Sequence, residues 1–351
     1  MSSSALVELG WDAERDAAFA PHAARGLAPG RVIAQHRGGY VVTTVEGNLL
    51  ADSPRSVRSD RLNRPAVGDW VACELRTDGK ATVRAVLDRR SVFVRKAAGE
   101  GMRQQVVAAN VDVVLVVTSL DDDLSARRLE RYLAVALESG ARPSIVISKV
   151  DLEGDRERAQ QIVAGVAGAS ETPQHLLSSL SGEGLEEIRA YLAPGCTVAL
   201  LGSSGVGKST LLNALLGEEV QRTAEVRSDG KGRHTTTTRE LFRMPGGGVV
   251  LDTPGMREMQ LWESETGLDE TFADLILLTA ACRFPDCRHH AEPGCAVLAA
   301  VADGKFDLAR VESFRQLRGE LEANDDRIEE KRRAQRDPRP APAFVKRRGP
   351  R

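Results

Sequence analysis

Nine residues past the middle of the chain carry the plainest chemistry. Gly202, Ser203, Ser204, Gly205, Val206, Gly207, Lys208, Ser209 and Thr210 form a complete G-x-x-x-x-G-K-S run, preceded by the strand-like CTVALLG and followed by the helical LLNALLG. Such a run turns backbone N–H groups inward around a phosphate chain at the positive end of a helix. Lys208 is spaced to reach the β- and γ-phosphates, and the Ser209 hydroxyl to ligate Mg2+. Downstream, an apolar strand ends in Asp252-Thr-Pro-Gly255. There Asp252 fits a Mg2+ partner acting through water, and Gly255 an N–H donor to the γ-phosphate. Between them lies RSDGKGRHTTTTREL, in which Thr236 or Thr237 is the expected switch-loop hydroxyl for the Mg2+. Many phosphohydrolases orient the attacking water with Gln just after Asp-x-x-Gly, but Met256 stands at that position and a thioether cannot do this. His234, directly ahead of the threonines, is the candidate for that role.

A second constellation reads the base. Ser148, Lys149, Val150 and Asp151 form Ser-Lys-x-Asp at the carboxyl end of the apolar run PSIVIS. A carboxylate at Asp151 can accept from the N1–H and 2-amino group of guanine, a donor pair that adenine lacks, with Lys149 over the ring. Ser178 and Ser179 begin a turn that can bring a backbone N–H to the guanine carbonyl. This favours GTP over ATP. The order is unusual, because Asp151 precedes Lys208 by 57 residues, as in a circularly permuted domain. A parallel sheet tolerates permutation, since ligands gather at the carboxyl ends of its strands whatever their chain order.

The third constellation is Cys282-x4-Cys287-x-His289-x5-Cys295. Three thiolates and an imidazole so close in sequence are the donor set of a closed tetrahedral Zn2+ site. With no ligand position left for water, one structural Zn2+ is expected, pinning a helical segment with little core of its own. Cys73 and Cys196 are expected to pack within strands. An odd total of five cysteines, and an N-terminus with neither basic n-region nor apolar h-region, point away from a disulfide framework and toward a cytoplasmic chain with no membrane span.

The elements that must hold these groups follow from the apolar rhythm. From Arg31 to about Lys96, short segments rich in β-branched residues are bounded by Gly or Asp-Gly, which predicts a small β-barrel over 31–97 after an N-terminal extension, 1–30. From Val106, strand-length apolar runs alternate with helical stretches such as ARRLERYLAVALES. That alternation predicts a mainly parallel α/β sheet, doubly wound, over 106–262. Residues 263–326 read as helical around the cysteines, and 327–351 as a basic, disordered tail.

A chain of 351 residues with 42% hydrophobic and 28% charged residues is globular and has more than one domain. Its net charge of -2 hides an asymmetry. Residues 31–100 carry 13 Lys/Arg against 8 Asp/Glu, and 327–351 carry 10 against 3, leaving the remainder strongly acidic. Basic ends around an acidic middle suggest a polyanion touching the ends.

In its permuted motif order, the stretch Gln105 to Asp112 (QVVAANVD), GRHTTT, DTPG and the cysteine cluster, the sequence resembles the RsgA family, also called YjeQ or EngC, over roughly residues 31 to 320. The resemblance implies an N-terminal OB-fold, a permuted GTPase and a C-terminal zinc domain. It also implies action in late maturation of the small ribosomal subunit on 16S-type rRNA, with GTP hydrolysis to GDP stimulated by that subunit, and it points to His234 as well. A monomer is expected. The family's usual Asn at the start of the guanine motif is Ser148 here. Two other readings use the same motifs: a P-loop ATPase acting on RNA, and a nucleotide-gated RNA-binding scaffold with negligible hydrolysis.

Overall fold

The computed structural model describes residues 4–36, 38–59, 62–96, 104–121, 123–217, 239–252 and 266–336. Two short helices, α1 (Ser4–Glu8) and α2 (Ala13–Ala23), precede five strands: β1 (Ala28–His36), β2 (Gly39–Thr44), β3 (Gly47–Asp52), β4 (Trp70–Leu75) and β5 (Ala81–Val86). A helical turn, α3 (Arg55–Ser59), lies between β3 and β4. The strands neighbour in the order β1-β2-β3-β5-β4, and β4 returns to pair with β1, Arg31 opposite Trp70, so the sheet closes into a barrel. Register shifts at Val32/Ala34 and Ala72/Cys73 supply bends of the kind that closure needs. Val32, Val42, Val71, Cys73 and Val83 fill the interior. Burial pushes the Cys73 thiol up to about 12, so it packs as a hydrophobe.

The segment KATVRAVLDRRSVFV divides. Its first half is β5, but its second half, β6 (Val92–Lys96), leaves the barrel and pairs with β7 (Gln104–Ala109) in a separate ribbon. The α/β layer then follows as β8 (Val113–Ser119), α4 (Ala126–Glu138), β9 (Arg142–Ser148), α5 (Arg156–Ala167), β10 (Gln174–Leu176), α6 (Leu185–Arg189), β11 (Thr197–Leu201), α7 (Lys208–Leu216), β12 (Arg239–Arg243) and β13 (Val249–Asp252). Its strand order is β10-β9-β8-β11-β13-β12, parallel through β13 and antiparallel at β12. All seven residues of β8 are buried, as a strand covered on both faces requires. Val114 and Val116 face one core, while Val113, Leu115 and Val117 face the other. Cys196 sits half-buried just ahead of β11. The two sheets are continuous, because β12 also pairs with β1, Ala34 opposite Glu240 and Gln35 opposite Arg239.

The C-terminal helices are α8 (Thr266–Thr271), α9 (Ala273–Thr279), α10 (Ala296–Ala302) and α11 (Leu308–Arg336). They clamp α4. A Cβ on Gly267 would lie 2.1 Å from the carbonyl oxygen of Ala134, so α8 and α4 meet almost backbone to backbone. Beside them the buried guanidinium of Arg310 donates to Glu130 Oε1 at 2.9 Å and to Asp274 Oδ1 at 3.0 Å, and lies over Phe272. Helix α11 runs to Arg336, past the boundary expected at 326, because RIEEKRRAQR consists mostly of strong helix formers with opposite charges three and four residues apart. Among the described residues, no helix is long and apolar enough to cross a membrane.

Beside the β1–β12 strand pairing, a buried cation joins the barrel to the α/β layer. Arg31, 1% exposed, donates from Nε to the carbonyl of Gly68 (3.3 Å) and from Nη2 to Thr197 Oγ1 (2.8 Å) and the carbonyl of Asn110 (3.2 Å). It also donates to the carbonyl of Leu9 and stacks 5.1 Å from the Trp70 ring centroid. Leu6, Leu9, Trp11 and Phe19 of the N-terminal segment are buried in the same core, so residues 4–23 are an integral part of the fold. Burial pushes the guanidinium down to about 9, still high enough to keep its charge at neutral pH. Arg31→Ala strands several buried carbonyls and should lower unfolding stability by about 3 kcal/mol or more, read from urea titration. A loss within experimental error would remove Arg31 as the joint.

Candidate nucleotide-binding site and metal cluster

The carboxyl ends of β8, β9 and β11 stop side by side, and the predicted phosphate and base residues sit on the loops that leave them. After β11 the chain turns through Gly202, whose absent Cβ would fall 2.2 Å from the carbonyl oxygen of Val117 on β8, so only glycine fits this close approach. Gly207 then adopts φ +99° as the N-cap of α7, a left-handed conformation natural to glycine, and the helix starts at Lys208. Val206 is buried at the centre of the loop, whereas Ser204 and Gly205 are exposed at its rim. Lys208 is 8% exposed, and its Nζ donates to the carbonyls of Gly202 (2.8 Å) and Ser203. The ammonium is thus drawn onto the loop that a phosphate chain would fill. Ser209 and Thr210 open the helix, half-buried.

At the end of β9, Ser148 is 3% exposed and its hydroxyl lies 2.8 Å from the carbonyl of Thr118 and 2.5 Å from that of Val206. One proton serves two acceptors, so this hydroxyl ties the base-side strand to the phosphate loop despite being shorter than an Asn amide. Lys149 follows at φ +59°, and its Nζ pairs with Asp121 Oδ2 at 2.8 Å. Burial opposes the Asp121 carboxylate, but bonds from Lys149, Ser119 and the Asp123 N–H outweigh it and hold its pKa below the usual range. Val150 is buried and donates its N–H to the carbonyl of Leu177. Asp151 Oδ1 accepts from the buried Ser178 hydroxyl at 2.6 Å, and that hydroxyl in turn accepts from the N–H groups of Leu180 and Ser181. Ser179 lies in the same turn. Asp252 is the last residue of β13, opposite Glu240 of β12. His234, Thr236, Thr237 and Gly255 lie outside the described residues.

Sequence reasoning missed the loop after β8. Its Asp123 pairs with Arg128 of α4, which also reaches Ser203. An acidic run straight after an apolar strand was the available signal. Two arginines at the barrel exit serve the fold itself. Arg89 pairs with the fully buried Asp69 through Nε and Nη2, both at 2.7 Å, and Arg90 pairs with Asp12 at 2.7 Å, so these charges hold the fold together.

Cys282, Cys287, His289 and Cys295 converge, their ligand atoms all within 4.8 Å of one another. His289 Nδ1 faces Cys295 Sγ at 3.4 Å and Cys282 Sγ at 3.7 Å, and the two sulfurs are 4.0 Å apart. A tetrahedral Zn2+ with ordinary bond lengths would separate its sulfur ligands by about 3.8 Å and sulfur from nitrogen by about 3.6 Å, so the donors fit such an ion. Burial lowers the His289 pKa and so favours the neutral, ligating imidazole. Burial opposes the Cys282 thiolate, but N–H groups of Ala296 and Val297 outweigh that and hold its pKa below the ordinary thiol value. The cluster ties the turn after α9 to the start of α10, with Cys295 as the N-cap.

Comparison with known proteins agrees with this layout. The sequence model of the RsgA GTPase family matches residues 86–262. A Streptomyces avermitilis protein, "Small ribosomal subunit biogenesis GTPase RsgA", is 48% identical over 318 residues, 90% of this chain and 85% of its own. The Opitutus terrae protein of the same name is 45% identical over 329 residues, 90% of this chain and 89% of its own. Among solved structures, YjeQ from Thermotoga maritima superposes with a TM-score of 0.63 at 28% identity, covering 84% of this chain and 98% of its own. YloQ, described as a circularly permuted GTPase, gives 0.61 at 25% identity, with 85% and 96% covered.

Chelating the metal, or Cys295→Ser, should lower the thermal midpoint and speed hydrogen exchange across residues 282–302, with one metal ion per chain lost by elemental analysis. Unchanged exchange after metal loss would contradict a structural role.

Proposed function

Because the chain belongs to the RsgA GTPase family, we propose that this GTPase binds the small ribosomal subunit and hydrolyses GTP to GDP during its late maturation. The observation that carries the site assignment is the junction at Ser148, where the guanine-reading strand end and the phosphate loop share a hydroxyl.

Binding and chemistry follow from the residues. Asp151, held by Ser178, accepts from guanine N1–H and the 2-amino group. Lys149 exchanges Asp121 for the nucleotide side of the cleft. The N–H groups of Ser203 to Ser209 surround the phosphates, and Lys208 leaves the carbonyls of Gly202 and Ser203 to meet the β- and γ-oxygens. Positioning and charge neutralisation account for most phosphoryl-transfer catalysis, so these groups carry much of the rate. Ser209, Thr236 or Thr237, and Asp252 would hold Mg2+, which neutralises phosphate charge. His234 orients the attacking water in place of the missing Gln, and subunit contact places it. Gly255 donates its N–H to the γ-phosphate.

The β1–β5 barrel and the basic 327–351 stretch meet 16S-type rRNA, flanking a permuted GTPase unit, 106–262, and a helical unit that begins at 263 and ends in α11. In that helical unit Cys282, Cys287, His289 and Cys295 hold one structural Zn2+. The protein works as a cytoplasmic monomer. The pairing of β12 with β1 supports communication between barrel and nucleotide, since β12 directly follows the threonine loop and borders the strand of Asp252.

Asp151→Asn should reduce GTP affinity by about tenfold or more and raise that for xanthosine triphosphate, whose 2-carbonyl acceptor replaces the 2-amino donor and suits an amide NH2, in competition binding. An unchanged GTP preference would remove Asp151 as the base reader. His234→Ala should bind GTP normally yet lose most subunit-stimulated turnover, about 100-fold, the scale of a lost proton-transfer or water-orienting group. Full stimulation would remove His234 from the mechanism.

A further inference from the structure

Arg128, in the first turn of α4, is a cation at the phosphate loop that the motifs do not include. Its Nη1 donates to Ser203 Oγ at 3.0 Å and pairs with the Asp123 carboxylate, which also accepts from Thr118 Oγ1 at 3.4 Å. Ser203 is thereby held from two directions, its hydroxyl by Arg128 and its carbonyl by Lys208 Nζ. The arginine is not on a loose surface helix. Leu129 and Leu133 bury α4 in the core, Glu130 accepts from Arg310 at 2.9 Å, and Arg131 makes a two-pronged pair with Glu320 at 2.8 and 2.7 Å. The helix that sets Ser203 is the one gripped by the C-terminal helices.

We infer that Arg128 is a positioning residue for the phosphate loop: its bond to the Ser203 hydroxyl fixes the peptide planes at the loop's entrance in the orientation that receives the β- and γ-phosphates. The inference rests on reading Gly202 to Ser209 as that loop. Arg128 acts through Ser203, with Asp123 fixing the guanidinium. Nη1 alone spans the Asp123 carboxylate and the Ser203 hydroxyl, so the carboxylate fixes the same nitrogen that orients Ser203. Because the contact lies on the phosphate side, it should leave base discrimination untouched.

The experiment is a double-mutant cycle on the full chain with Arg128→Ala, Ser203→Ala and the double variant, and with Arg128→Lys as the charge-conserving control. Binding of a fluorescent GDP and a fluorescent non-hydrolysable GTP analogue is measured, together with single-turnover GTP hydrolysis. Each single alanine variant should weaken nucleotide binding about fivefold, a partly exposed fraction of a charge-assisted hydrogen bond. The double variant should be no worse than Arg128→Ala, because both changes remove one contact. Arg128→Lys should recover only part of the loss, and preference for guanine over adenine should stay constant in all of them. Additive losses, or binding and turnover at wild-type level in Arg128→Ala, would overturn the proposal. A Lys208→Ala chain that binds nucleotide like wild type would instead remove the phosphate-loop reading, and the proposal with it.

Discussion

The site depends on parallel strands ending at one level. β8, β9 and β11 are neighbours in the sheet, so the phosphate loop leaving β11 and the Ser-Lys-x-Asp leaving β9 open into the same cleft on either side of the β8 loop. The Ser148 hydroxyl, at the end of β9, lies between the carbonyls of Thr118 on β8 and Val206 in the phosphate loop and so touches all three segments. Burying a hydroxyl is unfavourable without partners, and here it has two. Permutation of the chain leaves this arrangement intact because sheet order, and not chain order, decides which ends converge.

A second joint makes the barrel part of the same body. The stretch Gln105 to Asp112 earns its residue types there: Asn110 turns the chain at φ +55° and donates to the carbonyl of Gly68. Two residues on, Asp112 Oδ2 accepts from the Thr197 N–H at 2.7 Å where β11 begins. Arg31 enters the same junction from the barrel and ends on the Thr197 hydroxyl. A strand that carries the phosphate loop at its far end is thus anchored at its near end by both the barrel and the segment leading into β8. Together with the β1–β12 pairing, this joins the barrel to the nucleotide-bearing sheet at two places.

What the sequence made legible was local. Gly202 to Thr210, Ser148 to Asp151 and the cysteine cluster are defined by short spacings, and the apolar alternation fixed the strands and helices that bring them together. What it hid was long-range. Sequence spacing does not pair Arg89 with Asp69 or Arg90 with Asp12, because these partners meet only when the chain folds. β6 has the same β-branched character as β5, so only pairing with β7 separates it from the barrel. The burial of Trp11 and Phe19 in the N-terminal segment depends on Trp70, far along the chain, with Trp11 and Trp70 edge-to-face at 5.0 Å. Arg128 was invisible because its value lies in a contact to Ser203 across 75 residues.

The proposed function joins a guanine-reading, phosphate-binding cleft to a barrel and a basic 327–351 stretch that meet the small ribosomal subunit. The most direct test measures turnover of GTP and of ATP by the full chain, alone and with purified small ribosomal subunits. Slow GTP hydrolysis by the free protein is expected, with a large increase on adding subunits that weakens as salt rises, and negligible ATP turnover throughout. Equal turnover of the two nucleotides, or GTP hydrolysis indifferent to the subunit, would contradict that function.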